Sequence, residues 1–313
     1  MADKKPQQAF PLAGLIVAIV IIGGLANKFS GDSDTATSTP SGLFSRNKAS
    51  KEEKPKTEEE QRKEIAKEVK KVTKETKETK EDVENYLENL DTSPYAEHIR
   101  WNSIYRARND DPNSEYIILT VDKNAPSAIP ITGWTIQSTV NKVVATVGQA
   151  VKLPFLGEVN PQENILLAPG NIVIINTGKS PNNLSFQTNT CTGFFEQHQD
   201  FRPSLKKECT LPEDFPQPEP PNHFNDTCVD YIDRLKRCTV FTSVPDSLSA
   251  ECKKFIKEEI NYSECVALNK DKSDFYKNHW YVYLNRSQPL YKQKREHIEI
   301  RDQNGKLVAE KTY

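Results

Sequence analysis

The chain has a single methionine, no C-x-x-C pair and no excess of either charge. Across 313 residues, 42 Lys and Arg face 44 Asp and Glu, so no single-sign field exists to hold nucleic acid by bulk charge. Only 36% of residues are apolar and the mean hydropathy is −0.69, which excludes a polytopic membrane protein. No H-E-x-x-H helix and no G-x-S-x-G elbow occur, and His98, His198, His223, His279 and His297 sit at no metal-binding spacing. These gaps leave no catalytic set. The expectation is a protein that is not an enzyme and needs no cofactor.

One apolar run stands out. The 18 residues from Ala9 to Ala26 carry no charge and centre on Leu15 to Ile22. As a helix rising about 1.5 Å per residue they reach roughly 27 Å, close to a bilayer core. Lys4 and Lys5 precede the run, and Asp32 and Asp34 follow it beyond Lys28. The positive-inside rule then places residues 1–8 in the cytoplasm, a signal anchor at 9–27, and everything after it outside. Gly24-Leu25-Ala26 also fits a cleavage site, so a removed signal peptide is the alternative. Either way the remainder is exported.

The six cysteines agree with export. Cys191, Cys209, Cys228, Cys238, Cys252 and Cys265 fall in one 75-residue window. An even count without metal spacing reads as a disulfide framework outside the cytoplasm.

Residues 28–56 are rich in Ser, Thr, Asp, Lys and Pro and cannot bury a core, so they read as a disordered linker. Residues 51–91 carry 11 Lys/Arg and 14 Asp/Glu, and from 57 to 91 the composition is that of a charged helix. Ile65, Val69, Val72, Thr76, Thr79, Val83, Tyr86 and Leu90 alternate by four and three, the a/d spacing of a coiled coil. Glu64 to Lys67 and Glu68 to Lys71 place opposite charges at helix-surface spacing. This segment reads as a stalk, either a homo-oligomeric coiled coil or a single helix.

From residue 92 to 313 the period changes to two. Candidate strands are Ile99–Arg106, Glu115–Val121, Thr132–Ser138, Val143–Val147, Asn164–Leu167, Asn171–Asn176, Phe186–Gln187, Trp280–Leu284, His297–Asp302 and Lys306–Glu310. Turn chemistry divides them at Asp110-Asp111-Pro112-Asn113, Ala168-Pro169-Gly170, Lys179-Ser180-Pro181-Asn182 and Gln303-Asn304-Gly305. Asn304-Gly305 between two alternating strands is the strongest hairpin signal. The run Ile172 to Ile175 reads as a strand buried on both faces, and Trp134 as the centre of the core.

Three segments resemble the lamin tail domain family: Glu115-Tyr116-Ile117-Ile118-Leu119, Ile131-Thr132-Gly133-Trp134-Thr135-Ile136 and Leu166-Leu167-Ala168-Pro169-Gly170. The stretch Ile298 to Val308, with its Asn304-Gly305 turn, is similar to that family's closing strands. The resemblance implies a mainly β fold, an immunoglobulin-like β-sandwich, with Gly133, Trp134, Pro169, Gly170 and Gly305 as structural core positions. It covers roughly 93–190 and 276–313. Residues from about 190 to 278 depart from it, and such an insert resembles those of the bacterial exported type.

Within the insert, Pro212, Pro216, Pro218, Pro220 and Pro221 imply an extended connection. Cys228, Ile232, Leu235 and Cys238 share one face of a helix started by Asp226-Thr227, and a second helix runs from Ser247 or Ser249 to Ile260. Antiparallel packing of that pair joins Cys238 to Cys252 and Cys228 to Cys265, leaving Cys191 with Cys209.

Other signals are weaker. Thr177-Gly178-Lys179-Ser180 ends like a phosphate loop, but Val173 stands where its first glycine belongs and Pro181 stops the helix. The Asp110-Asp111 loop clusters oxygens as calcium loops do, and also as ordinary turns do. Glu196, His198 and Asp200 could be drawn as an acid/base group, without a partner to position them. Asn183, Asn225, Asn261 and Asn285 begin N-x-Ser/Thr sequons. Arg202, Lys206, Lys207, Arg234, Lys236, Arg237, Lys292, Lys294 and Arg295 mingle with aromatics and form a candidate ligand face for an acidic polymer. The implied role is non-catalytic and structural or adhesive: a single-pass membrane protein binding an envelope protein or surface polymer. A nucleic-acid-binding surface module is the alternative, as is an accessory domain of an exported hydrolase.

Overall fold

The computed structural model describes residues 58–155, 157–219, 223–291 and 293–313. The expected N-terminus 1–8, anchor 9–27 and linker 28–56 lie outside the described residues, as do Pro220, Pro221 and Lys292. Among the described residues no helix is long and apolar enough to cross a membrane.

The Glu/Lys/Thr-rich segment forms one helix, α1 (Glu58–Asp91). It contains no Gly or Pro, the two residues that cost a helix interior most. Ion pairs line its surface at i,i+4, from Lys71–Glu75 through Lys80–Glu84, and their exposure makes each worth little. Ile65, Val69, Val72, Val83, Tyr86 and Leu90 are all more than 40% exposed. Between them, Thr76 and Thr79 turn their hydroxyls onto the Val72 and Glu75 carbonyls at 2.7 and 2.8 Å.

Strands then follow in close agreement with the period-two reading: β1 (Ile99–Tyr105), β2 (Tyr116–Val121), β3 (Ile129–Pro130), β4 (Thr135–Ser138), β5 (Val143–Thr146), β6 (Leu166–Leu167), β7 (Ile172–Asn176), β8 (Phe186–Asn189), β9 (Tyr276–Tyr283), β10 (His297–Arg301) and β11 (Leu307–Thr312). Two-residue β3, paired with β6, escaped the pattern, and β9 begins four residues earlier than expected. A five-stranded sheet runs β1-β2-β7-β9-β8 and a four-stranded sheet β11-β10-β4-β5. The larger sheet is mixed, because β7 and β9 are parallel.

Both sheets contribute to one apolar core. Ile117, Leu119, Val173, Ile175 and Val282 from the first meet Ile136, Ala145, Ile298, Ile300 and Val308 from the second. Trp134, 1% exposed, fills the space beside Tyr95, and its Nε1 donates to Gln303 Oε1 at 3.2 Å. On β7, Val173 and Ile175 enter this core while Ile174 enters a second one on the opposite face, as expected for a strand covered on both sides. The second core is lidded by Phe195, Phe201 and Leu205 of the insert.

The turns obey their chemistry. Asn171 N–H returns to the Ala168 carbonyl at 2.9 Å with Gly170 at φ +81°, the positive φ that a turn with Pro169 at its first corner demands. The β10–β11 hairpin forms through the three-residue turn Gln303-Asn304-Gly305, as its spacing predicts. Gly305 N–H bonds the Asp302 carbonyl at 2.9 Å and Gly305 takes φ +78° beside a register shift. The Asp302 carboxylate accepts from Asn304 and Lys306 N–H and so fixes this turn.

The insert departs from the hairpin expectation. Among the described residues it contains three short helices, α2 (Asp226–Ile232), α3 (Ala250–Glu258) and α4 (Tyr262–Asn269), and a single 3-10 turn (Pro212–Asp214) within the proline-rich stretch. The helix expected to reach Cys238 stops at Ile232, and Cys238 takes φ +57° in the following turn. Cys238 therefore leaves the face of Cys228 and meets Cys209, whose N–H points at its sulfur at 3.2 Å. The observed bonds are Cys191–Cys265, Cys209–Cys238 and Cys228–Cys252, with Cα separations of 5.9, 5.3 and 6.0 Å. None of the three expected pairings forms. Cys228 and Cys252 each sit in the first turn of a helix, where Asn225 and Ser249 cap the chain by accepting from their N–H groups. Asn225, rather than Asp226 or Thr227, is the cap of α2.

Candidate functional site

Three adjoining clefts border the free edge and outer face of the five-stranded sheet. On β1 the register slips between Trp101 and Ser103, a bulge of the kind that re-aims side chains at an edge. The first cleft, about 550 Å³, has Trp101 and Arg106 on one wall and Lys294, Arg295, Lys311 and Tyr313 on the other. Arg106 lies 5.4 Å from the centre of the Tyr313 ring and donates to the Gln293 carbonyl at 2.6 Å. Burial, followed by the charges of Glu296 and Glu115, pushes the Tyr313 phenol up to about 12, so it stays uncharged at neutral pH. The buried Trp101 Nε1 has no hydrogen-bond partner among the described residues.

The second cleft, about 600 Å³, shares Arg106 and adds Arg108 and Arg202. Its floor carries Tyr105 and Tyr116, stacked at 4.3 Å across β1 and β2. A third, about 400 Å³, shares Asp200 and Arg202 with the second and adds Lys179 and Asp111. Among the described residues, seven basic side chains and two carboxylates thus line the three, and Asp200 is already paired with Arg202 at 3.1 Å. Positive charge interleaved with aromatic faces suits a polyanion.

Two fully buried carboxylates brace the loop that delivers Lys294 and Arg295. Glu115 accepts from Leu290 N–H at 2.6 Å and Tyr291 N–H at 3.4 Å. Glu296 accepts from Ser138 Oγ at 2.9 Å and from His297 N–H. Burial pushes the Glu115 carboxyl up, against the lowering effect of its backbone hydrogen bonds. A carboxyl with a raised folded-state pKa binds more protons folded than unfolded, so its contribution to stability falls as pH rises through the ordinary carboxylate range toward the raised value. Thermal melts of Glu115→Gln should therefore gain on the wild type as pH rises from 4 to 7. A gap that widens in the other direction contradicts this sign.

The structure distributes the expected ligand face unevenly. Arg202, Lys294 and Arg295 line the clefts. Lys206 borders a separate cleft of about 320 Å³ with His279, whose imidazole is held down by burial and by the Lys206 charge. Lys207, Arg234, Lys236 and Arg237 are exposed on the insert, with Arg234 Nε bonding the Asp230 carbonyl at 2.7 Å. Arg106, Arg108, Lys179 and Lys311 were missed. Arg106 and Arg108 follow a strand that also carries Trp101 and Tyr105, and Arg106 is joined to the Lys294 segment by its bond to the Gln293 carbonyl.

The remaining motifs resolve into structure. In the Asp110-Asp111 loop, Asp111 caps a 3-10 turn and Glu115 turns into the core. No group of three or more metal-binding side chains occurs among the described residues. Lys179 N–H bonds Asn113 Oδ1 at 2.8 Å in a turn, not a phosphate loop. Glu196 accepts from Leu205 N–H at 2.5 Å and His198 is exposed, so the imagined acid/base group is engaged elsewhere. No family model, curated protein or solved structure matches the chain.

Proposed function

We propose that this is a membrane-anchored, extracytoplasmic, non-catalytic binding protein of the cell envelope, and that it holds an anionic polymer in the Arg106 clefts. The observation that carries the reading is the lining itself: among the described residues, six cations among aromatics with one carboxylate, Asp200, already ion-paired to Arg202. Two sheets on one core and the turns at Gly170 and Gly305 support an immunoglobulin-like, lamin-tail-like β-sandwich. Three disulfides support an oxidising location. The apolar run 9–27 would tether the chain, and α1 would act as the stalk. Its exposed Ile65, Val69, Val72, Val83, Tyr86 and Leu90 suit a second copy of the same helix.

The test is binding of the full-length protein to a poly(glycerol phosphate) of the teichoic type. Affinity should fall steeply between about 50 and 200 mM salt, because each neutralised phosphate releases counterions. Equal affinity for an uncharged glycan, or at least tenfold tighter binding of a DNA oligonucleotide, would overturn the reading. In whole cells, a cysteine introduced near residue 40 should react with an impermeant reagent before lysis, and reaction only after lysis would contradict the orientation.

A further inference from the structure

The third cleft differs from its neighbours. Its lining holds two cations and two carboxylates, Lys179, Arg202, Asp111 and Asp200, so it is electrically balanced. Asp200 pairs with Arg202 at 3.1 Å, and Asp111 Oδ1 accepts from Asn113 N–H at 3.0 Å. The floor is made by register. Asn176 and Tyr283 stand opposite one another on β7 and β9, while Tyr116, across from Asn176 on β2, lines the second cleft.

Asn176 is 1% exposed and Tyr283 6% exposed, and both line the cleft. Neither Asn176 Oδ1, Asn176 Nδ2 nor the Tyr283 hydroxyl has a hydrogen-bond partner among the described residues. Buried polar groups are ordinarily paired, because leaving a donor or acceptor unsatisfied costs its full desolvation. A fold that leaves three such atoms unpaired on two facing residues that line one cleft is organised for an occupant that completes them.

From this we infer that the Asn176–Tyr283 cleft recognises a neutral N-acetylated sugar unit. The inference rests on the polymer-binding reading above and names the unit that polymer presents. A carboxamide offers both an acceptor and a donor, and an acetamido group can meet either one, its N–H on Asn176 Oδ1 or its carbonyl on Asn176 Nδ2. The Tyr283 hydroxyl can give or take a bond with a ring hydroxyl. The balanced lining selects a neutral group, while the cationic clefts beside it take the charged backbone. A volume of about 400 Å³ lies in the range of small-ligand sites.

Saturation-transfer NMR on the full-length protein tests this with N-acetylglucosamine, glucosamine and glucose. Transfer should reach the acetyl methyl of the first, and the other two should give at least tenfold less at equal concentration. Asn176→Leu should weaken the acetyl signal at least tenfold without lowering the melting temperature, since it removes two unpaired buried atoms. Tyr283→Phe should weaken it several-fold. Equal transfer to glucose, or an undiminished acetyl signal in Asn176→Leu, overturns the inference. Should Asn176→Leu fail to fold, Tyr283→Phe decides, and an undiminished signal there overturns it too. If the anionic polymer binds with its salt dependence but no acetamido sugar does, this inference alone falls. If the sugar binds and the polymer does not, the recognition site stands and the polymer reading falls.

Discussion

Replacing Cys191 and Cys265 together by serine should destabilise the domain by about 4 kcal/mol, as chain-entropy reasoning gives for a loop of this length. The bond joins residues 74 apart and closes the whole insert, whereas Cys209–Cys238 and Cys228–Cys252 span only 29 and 24. It also lies beside the seam where the insert meets the sheet, with Thr190 N–H on the Phe275 carbonyl at 2.9 Å. Six of the sixteen buried residues in the insert's core are half-cystines, the rest mostly aromatic and aliphatic side chains from short segments. Helices of seven to nine residues are marginal alone, so cross-links supply what burial does not. Denaturant unfolding without reductant measures the effect. The Cys191/Cys265 variant should lose more than either of the others, and a loss below about 1 kcal/mol contradicts this account.

Trp134→Ala should cost about 3–5 kcal/mol, the range for truncating a buried large aromatic. Trp134 is 1% exposed in the core that both sheets share, and the substitution opens a cavity there and removes the bond to Gln303 Oε1. Neighbouring Gly133 at φ +86° lets the chain turn Trp134 inward, with Gln303 Cβ 3.6 Å from where a Cβ would stand. Trp134→Phe keeps part of the volume but loses the indole bond, and should cost less. A thermal or denaturant melt of both variants checks the order. Equal, small losses would show that the two sheets do not depend on this ring.

Much of the strand pattern was legible because alternation reports directly on burial. Tyr116 to Val121 alternates half-buried and buried residue by residue, and Ile118 on the half-buried side packs against the second core. The Pro169-Gly170 reversal was legible for the same local reason. The cystine pairing was not. It depended on where a helix stopped, and nothing in Arg234 to Arg237 breaks helical periodicity strongly enough to announce the end at Ile232. The third helix, α4, carries Cys265 but has almost no apolar stripe to reveal it.

The site was legible only in fragments. Lys294, Arg295 and Arg202 stood out as short basic runs, but Arg106 is distant in sequence and meets them only where the folded loops line the same clefts. Asn176 looked like the polar end of a buried strand. Its lack of a partner depends on what lies opposite on β2 and β9, which no local pattern contains.

The most direct test of the account is where the polymer binds. Arg106→Glu with Arg108→Glu should weaken poly(glycerol phosphate) binding by the full-length protein at least tenfold at low salt and flatten its salt dependence. Arg234→Glu with Arg237→Glu, an equal change of charge on the exposed insert, should leave affinity within about twofold. If both double reversals weaken binding equally, the attraction is diffuse charge and the cleft is not the site.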